Sequence, residues 1–351
     1  MADSQPDLSP EVSAEDTFAL PSIHRETLLS GASYSHFSPV PPRLLPPPAD
    51  PSSPADSAAG EPCVLGVDEA GRGPVLGPMV YGVFYLPIPL SDPLLRDTHH
   101  FDDSKVLTPG VRASLMRTLC TSSSDLHSAC GWATSSLSAR DISSNMMRPG
   151  AMYNLNAQAL DATVELIRGV LDRGVNVREI YVDTVGPPAS YQAKLLRFFP
   201  GVKITVAKKA DSLYPCVSAA SVCAKVTRDV ALEVLYKHHP SLLQPEDPAA
   251  PPFKEGDAMA WGSGYPSDAR CVTWLRGNMH PVFGWGPECR FSWGTSKDLL
   301  EGKSGVKVEW PADEDAETTR VTDFFVAGAV AGEAADEMGT WFGSPAGLEA
   351  F

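Results

Sequence analysis

The sequence predicts an α/β fold in which helices cover a β-sheet. In residues 178–183 the apolar Ile180 and Val182 alternate with other residues, and residues 202–206 form a β-branched run, as in strands. Two longer segments, Asn156 to Arg173 and Ser218 to Lys237, carry apolar residues at helical spacing. Strands that alternate with helices along the chain are typical of layered α/β proteins.

The predicted elements follow one another as strand, strand, helices, strand, helix, strand and helix. The first strand contains Val64 and Leu65, and the apolar stretch from Pro74 to Leu90 is expected to form strand and turn. Its four prolines argue against a membrane-spanning helix. Gly174 can end the helix that begins near Asn156, since glycine is common just after a helix.

Four acidic residues lie at or just past the predicted strand ends, namely Asp68, Glu69, Asp183 and Asp211. Open α/β sheets tend to build their sites at such ends. Like charges repel unless a cation lies between them. Oxygen ligands without a His or Cys cluster suit Mg²⁺ or Mn²⁺ better than zinc. The pattern therefore predicts a divalent-metal site, although Asp68 and Glu69 taken alone would more often form a solvated acidic turn.

A glycine-rich turn, Gly71-Arg72-Gly73, directly follows the acidic pair. Glycine lets the backbone approach a ligand closely, and arginine can bind a phosphate with two hydrogen bonds. A nucleotide-binding phosphate loop is excluded because no Gly-Lys-Ser/Thr sequence ends the turn. We therefore expect a nucleic-acid backbone beside the metal site.

The order and spacing of several motifs resemble type 2 ribonuclease H, the ribonuclease HII family. The motifs are Asp68-Glu-Ala-Gly-Arg-Gly73, Asp103-Ser-Lys105, Tyr181-Val-Asp-Thr-Val-Gly186, Lys209-Ala-Asp211 and Ser218-Ala-Ala-Ser-Val-Cys-Ala-Lys225. A closer similarity to the catalytic subunits of the eukaryotic members rests on Tyr153-Asn-Leu-Asn156, Gly262-Ser-Gly-Tyr-Pro266, Pro281-Val-Phe-Gly284 and Arg290-Phe-Ser-Trp293. The resemblance extends from about Val64 to about Lys297.

The resemblance implies a ribonuclease-H-like mixed β-sheet flanked by helices, with a helical C-terminal extension. It also implies an endonuclease that cleaves the RNA strand of RNA:DNA hybrids and cuts 5′ of single ribonucleotides in duplex DNA. The expected ends are a 3′-hydroxyl and a 5′-phosphate, and the expected roles are ribonucleotide excision repair and RNA primer removal. The four carboxylates would hold two Mg²⁺ or Mn²⁺ ions about 4 Å apart, with Asp68 as the bridging ligand.

Substrate selection has to depend on the 2′-hydroxyl, which distinguishes RNA from DNA. The resemblance implies that the backbone of residues 71–73 and the side chain of Tyr265 contact this group. Further candidates for substrate binding are Ser104, Lys105, Lys209, Ser218 and Lys225. For Lys105 the alternative is a solvated surface charge, and for Lys209 it is a gatekeeper position at a sheet edge. Ser218 and Lys225 open a helix, where backbone N–H groups attract phosphate, and the alternative for that segment is close helix packing.

The net charge of −15 would by itself argue against a nucleic-acid partner. Residues 1–61 carry −7 and residues 298–351 carry −9, which leaves +1 for the part between them. Metal binding would mask four acids of this central part. Its surface is therefore more basic than the total suggests.

The two ends of the chain are expected to lie outside the catalytic domain of residues 61–297. Residues 1–60 are rich in Pro, Ser and Ala without periodicity, which predicts a disordered extension. Residues 298–351 are acidic and predict a largely flexible region with a candidate partner-docking segment. Within it, Val321, Phe324 and Phe325 can share one short helical turn. This spacing resembles a degenerate sliding-clamp-binding peptide, with Thr318 where such peptides prefer Gln. The alternative is that the two phenylalanines dock on a partner subunit or on the core of this chain.

The resemblance and the composition also indicate partners and a location. Eukaryotic members of the family work with two non-catalytic subunits. Seven scattered cysteines without a Cys-x-x-Cys motif predict reduced thiols. The first 20 residues lack the apolar core of a signal peptide. We expect a nuclear protein, with a cytosolic pool and no membrane association.

Three functions compete at this point. The first is a metal-dependent endonuclease acting on RNA:DNA hybrids. The second is another two-metal nuclease, such as a resolvase or integrase, which would lack the combination of the glycine turn and Tyr265. The third is a non-catalytic nucleic-acid-binding protein, against which the presence of all four carboxylates argues. The motifs favour the first.

Overall fold

A mixed six-stranded sheet forms the centre of the described part of the chain. The computed structural model describes residues 18–46, 60–101, 107–148, 153–184, 186–239 and 258–302. Contacts divide the chain into residues 1–306 and residues 307–351, and the described residues all belong to the first unit. The predicted substrate residues Ser104 and Lys105, and the segment around Phe324, lie outside the described residues.

The strands are arranged in the order β1-β4-β3-β2-β5-β6. Their bounds are β1 Tyr34–Phe37, β2 Cys63–Ala70, β3 Met79–Pro87, β4 Gly131–Leu137, β5 Val177–Asp183 and β6 Lys203–Ala207. The pairs among β1, β4, β3 and β2 are antiparallel, whereas β5 runs parallel to both β2 and β6. The expected mixed sheet is therefore confirmed.

Helices cover both faces of the sheet. Their bounds are α1 Arg25–Leu29, α2 Pro109–Cys120, α3 Asp125–Ala129, α4 Ala139–Met146, α5 Leu155–Asp172, α6 Pro188–Phe198, α7 Ala210–Leu213, α8 Pro215–Lys237, α9 Ala269–Gly277 and α10 Gly294–Leu300, with a π-helix at Ser91–Thr98 and short 3₁₀ turns at Pro42–Leu44 and Ile88–Leu90. The predicted helix from Asn156 to Arg173 is confirmed as α5. It begins where the Asn154 side chain accepts the N–H groups of Asn156 and Ala157.

The alternation of side chains along the central strands creates two hydrophobic layers. Leu65 and Val67 of β2 belong to the layer beneath α5 and α6, together with Ile167. Val64 of β2 belongs to the opposite layer, together with Val222 of α8 and Met116 of α2. Because successive residues of a strand point to opposite faces, a strand buried on both sides is apolar throughout. The sequence of β3 shows this pattern.

The central helix α8 packs very closely on strand β2. At Gly66 an added Cβ atom would lie 2.3 Å from the carbonyl carbon and oxygen of Cys216, near the start of α8. No other residue permits this approach. Small residues on α8, among them Ser218, Ala219 and Ala220, are fully buried at the contact. The predicted helix is confirmed, but it begins three residues earlier, at Pro215.

Two expectations about the fold are wrong. Residues 18–46 belong to the fold and not to a disordered extension, since β1 pairs with β4 and Ser22 shares a buried hydrogen bond with Thr227 of α8. The predicted order of elements also omitted β1 and β4. Strand β4 contains a run of small polar residues, Thr134-Ser-Ser136, which resembles a loop until the neighbouring strands pair with it. Residues 1–17 and 47–59 lie outside the described residues.

The expected helical C-terminal extension is present in residues 258–302. Trp261, Trp274 and Trp285 pack there against Leu76 and the second half of α8. All seven cysteines are free. The stretch from Pro74 to Leu90 contains β3, and none of the described helices has the length and apolar character needed to cross a membrane.

We predict that Gly66→Ala lowers the free energy of unfolding by about 3 kcal/mol or more, because the new methyl group has to displace the backbone of α8. Gly110→Ala is the matched control, since it lies in α2 with no atom within 4 Å of an added Cβ. The control should gain up to about 1 kcal/mol from helix propensity. Denaturant unfolding measures both changes, and equal stability of the two variants would contradict the packing described above.

Candidate active site

The four acidic side chains come from neighbouring elements at the carboxyl ends of two parallel strands. Asp68 and Glu69 end β2 together with Ala70, Asp183 is the last residue of β5, and Asp211 lies in the first turn of α7. Strands β2 and β5 are adjacent and parallel, so their ends meet at one edge of the sheet. The N–H of Ala210 donates to Asp183 Oδ1 over 2.9 Å. This bond fixes α7, and with it Asp211, beside the end of β5.

Asp68 is a buried carboxylate, with 5% of its surface exposed. The Ser221 hydroxyl donates to it from α8, and Lys225 Nζ donates to Ser221 Oγ over 2.9 Å. Burial raises the pKa of Asp68 to about 7 and that of Glu69 to about 8. The neighbouring carboxylates contribute to these increases, since Asp183 acts on both groups and Asp68 acts on Glu69. A bound cation would stabilise both ionised forms.

The four carboxylates line a single open cavity of about 450 Å³. Its lining combines acids and bases with a short stretch of small residues and one aromatic ring. The residues are Asp68, Glu69, Asp183, Asp211 and Asp229, then Arg72, Arg112, Lys225 and Arg228, and finally Ala70, Gly71 and Tyr265. Carboxylates can hold cations, and the basic side chains beside them can hold phosphate groups. This combination suits a nucleic-acid backbone bound at a metal site.

The acidic residues fit divalent cations that keep part of their water. Magnesium in enzymes is commonly held by one or two carboxylates together with water and substrate phosphate. Among the described residues, no three acidic, His or Cys side chains approach closely enough to enclose an ion by themselves. Four carboxylates that face one open cavity fit ions whose remaining coordination positions are taken by water and substrate.

Comparison with known proteins identifies the family. The model described as "Ribonuclease HII" matches residues 65–246. The chain is also 58% identical to a ribonuclease H2 subunit of Neurospora crassa over 354 residues, covering 100% of both chains. The chain belongs to the ribonuclease HII family. It is therefore a hydrolase and a nuclease of the ribonuclease H type, and the activity of this family is directed at RNA:DNA hybrids.

Two solved archaeal structures have a similar fold. Ribonuclease H2 from Pyrococcus horikoshii OT3 matches with a TM-score of 0.52 and 30% identity, over 68% of this chain and 97% of that one. The PCNA:RNase HII complex from Archaeoglobus fulgidus matches with a TM-score of 0.51 and 26% identity, over 67% of this chain and 96% of that one. These matches confirm the ribonuclease-H-like fold expected from the sequence motifs.

The glycine turn of this ribonuclease HII chain, residues 71–73, is held by a buried arginine of the C-terminal extension. Arg290 donates from Nη2 to the carbonyl of Gly71 over 2.6 Å and from Nη1 to the carbonyl of Arg72 over 3.0 Å. Its Nε and Nη2 also donate to the carbonyl of Gly77 over 3.1 and 3.0 Å. Burial lowers the pKa of Arg290 to about 9. The hydrogen-bond donors of this fully buried guanidinium are thus paired with main-chain carbonyl oxygens alone.

Two further features fix the conformation of the glycine turn. The indole N–H of Trp293 donates to the carbonyl of Gly73 over 3.0 Å. Gly71 has a φ of +76°, and an added Cβ there would lie 2.7 Å from the carbonyl oxygen of Pro78. Only glycine adopts this conformation without strain. The turn is thus rigid before any substrate arrives.

Tyr265 lies beside the glycine turn, where the motif resemblance placed it. An added Cβ on Gly73 would lie 3.2 Å from the Tyr265 ring, and 38% of this residue is exposed. The guanidinium of Arg228 lies 5.8 Å from the ring centroid and donates to the carbonyl of Ser263. Arg228 therefore holds the loop that carries Tyr265 and contacts the ring as a cation.

The structure brings most of the predicted substrate residues together but not all of them. Arg72 and Lys225 line the cavity with the four carboxylates. Ser218 is fully buried between α8 and the sheet, and its N–H bonds to the carbonyl of Tyr214. This burial favours the alternative of close helix packing over the predicted substrate contact. Lys209 is exposed, adopts the left-handed region with a φ of +57°, and is not among the lining residues.

The sequence reasoning missed several cavity residues, namely Arg112, Arg228 and Asp229. A signal was present for Arg228, because Ser221, Lys225 and Arg228 follow one another at intervals of four and three on α8. Residues at these intervals share one face of a helix. No sequence pattern indicates Arg112, because it lines the cavity only as a result of where α2 packs in the fold.

We predict that Arg290→Lys lowers the free energy of unfolding by about 2 kcal/mol and weakens substrate binding. The ammonium group of lysine cannot make the set of hydrogen bonds that the planar guanidinium of Arg290 donates. Arg276→Lys, at an exposed position of α9, is the control and should change neither quantity. Denaturant unfolding and the KM for a hybrid substrate measure the effects. Wild-type values for Arg290→Lys would show that the turn does not depend on this contact.

Proposed function

We propose that this chain is the catalytic subunit of a type 2 ribonuclease H. It cleaves the RNA strand of RNA:DNA hybrids and cuts 5′ of single ribonucleotides in duplex DNA, leaving 3′-hydroxyl and 5′-phosphate ends. The observation that carries the proposal is the single cavity in which four carboxylates meet the glycine turn and Tyr265. The four carboxylates alone would be compatible with many kinds of nuclease. The glycine turn and Tyr265 add groups that can recognise a ribose.

The carboxylates Asp68, Glu69, Asp183 and Asp211 would hold two divalent cations, Mg²⁺ or Mn²⁺, with Asp68 between them. When bound, such a pair stabilises the charge on the scissile phosphate and lowers the pKa of the attacking water. The chain itself supplies the position of the carboxylates through β2, β5 and α7. Lys225 and the Arg72 guanidinium, which also line the cavity, supply positive charge for the backbone phosphates.

Ribose recognition is assigned to the glycine turn and Tyr265. The glycine turn and the exposed ring of Tyr265 line one cavity, and the 2′-hydroxyl is the only group by which RNA differs from DNA on the sugar. The turn can offer main-chain hydrogen bonds, and the Tyr265 hydroxyl offers one more. The ring itself can stack on a neighbouring sugar.

The cellular role proposed for the enzyme is ribonucleotide excision repair and RNA primer removal in the nucleus, with a cytosolic pool. Two non-catalytic subunits are proposed as partners, because the Neurospora crassa relative is itself named as one subunit of ribonuclease H2. Co-purification of the full-length chain with candidate subunits tests this assembly. A chain that is fully active and does not bind these subunits would contradict it.

A sliding clamp is proposed as a further partner. The similar archaeal RNase HII was solved in complex with PCNA, a sliding clamp, and the segment around Phe324 has the spacing described above. The double variant Phe324→Ala and Phe325→Ala should lose clamp binding in a pull-down while keeping its partner subunits. Loss of the partner subunits instead would assign the segment to assembly.

We predict that Asp183→Asn abolishes cleavage of a duplex that contains one ribonucleotide, by at least about a thousandfold in the presence of Mg²⁺, since the amide keeps the shape but removes a charge needed by the cations. Asp68→Asn should behave in the same way. Asp229→Asn is the matched control in the same cavity and should keep near-wild-type cleavage, because Asp229 is half exposed and is not one of the four assigned carboxylates. Near-wild-type cleavage by Asp183→Asn at saturating Mg²⁺ would exclude the assigned site.

We predict that Tyr265→Phe reduces cleavage at a single ribonucleotide more than cleavage of a long hybrid. The lost hydroxyl contacts one ribose, and a hybrid offers many alternative registers at which to bind. The ratio of the two kcat/KM values should fall by about tenfold, as expected for one lost hydrogen bond in the transition state. Equal losses on both substrates would argue against recognition of the single ribose.

A further inference from the structure

A second, smaller cavity adjoins the active site where helix α6 begins. It has a volume of about 150 Å³ and shares Glu69, Arg72 and Asp183 with the larger cavity. Ser190 and Lys194 of α6 belong to its lining. Since α6 follows the end of β5 after a short connection, the first turns of this helix lie next to the carboxylates. A ligand that leaves the active site on this side therefore meets α6.

The segment that contains α6 and β6 is basic, although the whole chain has a net charge of −15. Residues 184–209 include no acidic residue and five basic ones, all of them exposed, namely Lys194, Arg197, Lys203, Lys208 and Lys209. Of these five, only Lys203 takes part in an ion pair with another residue that the structure describes, its partner being Glu179 over 3.1 Å. The other four charges create a positive field beside the active site.

Three exposed residues of α6, namely Ser190, Lys194 and Arg197, share one face of the helix, because they follow one another at intervals of four and three. We call these three residues the α6 track. The opposite side of the helix is fixed to the sheet. Leu195 is buried in the layer beneath α6, and the side chain of Gln192 accepts the N–H of Val206 in β6 over 3.1 Å. The track therefore has a fixed position and is open to solvent.

Strand β6 places two more of the basic residues at the edge of the sheet that carries the carboxylates. Asp183 of β5 pairs with Ala207 of β6 in the parallel register. Lys208 and Lys209 follow Ala207 directly, so they lie beside the end of β5. Lys203 is the first residue of β6 and thus lies at the opposite end of the strand, about 13 Å away. Its position and its ion pair with Glu179 make Lys203 a natural control for the other basic residues.

We propose that the α6 track binds backbone phosphates of the substrate duplex outside the catalytic cavity. In the proposed function the scissile phosphate lies at the carboxylates, and each strand of the duplex carries a further phosphate for every 3.4 Å along its axis. Lys194, in the lining of the small cavity, binds the nearer phosphate, and Arg197 binds one farther from the cleavage position. This role deepens the proposed function and rests on it.

A nucleic acid fits the α6 track better than an acidic protein segment does. The small cavity joins the track to the cavity that the proposed substrate occupies, so a duplex bound there continues over the neighbouring surface. Leu196 and Phe198 flank Arg197 and are 37% and 45% exposed. Since exposed apolar side chains also occur where proteins bind, an acidic protein segment is the alternative that the experiment has to exclude.

The direct test is the salt dependence of duplex binding, measured by fluorescence anisotropy with the full-length protein and a duplex that carries one non-cleavable ribonucleotide. In the double variant Lys194→Gln and Arg197→Gln, the slope of log affinity against log salt should become shallower by about 2, which is close to one for each lost phosphate contact. The affinity at about 0.1 M salt should fall by about tenfold or more. Lys203→Gln is the matched control, since this charge is paired with Glu179, and its affinity should stay within about twofold of wild type.

A charge-conserving variant shows whether the effect depends on charge. Lys194→Arg combined with Arg197→Lys should keep the wild-type salt slope, because phosphate neutralisation needs the positive charge and not one particular side chain. An unchanged slope in the glutamine double variant would overturn the proposal, as would an equal loss of affinity in Lys203→Gln, which would reflect net charge alone. Loss of a partner subunit with unchanged duplex binding would also overturn it and assign this face of α6 to a protein.

The length of the duplex provides an independent test. Arg197 lies about 14 Å from the first residue of α6 along the helix axis, a distance that equals about four base pairs. A duplex closed by a hairpin after about two base pairs on one side of the ribonucleotide should not reach Arg197. On the arm that contacts the track, this shortening should weaken wild-type binding but not binding by the glutamine double variant. Equal losses in both proteins, for either arm, would contradict the proposal.

Cleavage assays separate this proposal from the proposed function. In the glutamine double variant the KM for a long duplex should rise by about tenfold, whereas kcat should stay within about threefold of wild type, since the lost contacts are made equally in the ground state and the transition state. A wild-type protein that fails to cleave a ribonucleotide-containing duplex would contradict the proposed function and leave the salt slope to decide the role of the α6 track. An active wild type with an unchanged KM and salt slope in the double variant would contradict only the role of the α6 track.

Discussion

The close contact between α8 and strand β2 is the constraint on which the active site depends. At Gly66 the backbone of the helix occupies the place of a side chain, and this approach brings Ser221 and Lys225 to the end of β2. Asp68 is buried there with hydrogen bonds from the Ser221 hydroxyl and from the N–H of Glu69. A buried carboxylate costs free energy that two such bonds offset only in part. The packing of the core therefore creates the site at which a cation is favourable.

The second half of the site is built by parts of the chain that are distant in sequence. The glycine turn follows β2 directly, but its carbonyl groups are bound by Arg290 and Trp293 of the extension. The Tyr265 loop is bound by Arg228 of α8. The glycine turn and the Tyr265 loop are thus each held by a buried or partly buried cation or indole, and such preorganisation reduces the rearrangement that the proposed substrate would require.

Much of the site could be predicted from sequence because its chemistry is local. Asp68, Glu69 and Asp183 end apolar runs, and the helical periods of α5 and α8 are long and regular. The sequence could not decide between substrate contact and close packing for Ser218, since the answer depends on which face of α8 meets the sheet. Strand β1 was missed because its four residues gain their stability from pairing with β4, which itself resembles a loop. The roles of Arg228 and Arg290 depend on main-chain carbonyls of distant segments, which leave no pattern in the sequence.

The central claim is that the carboxylates around Asp68 hold the cations that act on the scissile phosphate. Anomalous diffraction from Mn²⁺, in crystals of the protein with a duplex carrying one non-cleavable ribonucleotide, tests it most directly. The account predicts two Mn²⁺ peaks about 4 Å apart, in contact with Asp68, Glu69, Asp183 and Asp211 and with the phosphate on the 5′ side of the ribonucleotide. Peaks elsewhere, or a ribonucleotide bound without Mn²⁺ at these carboxylates, would contradict it.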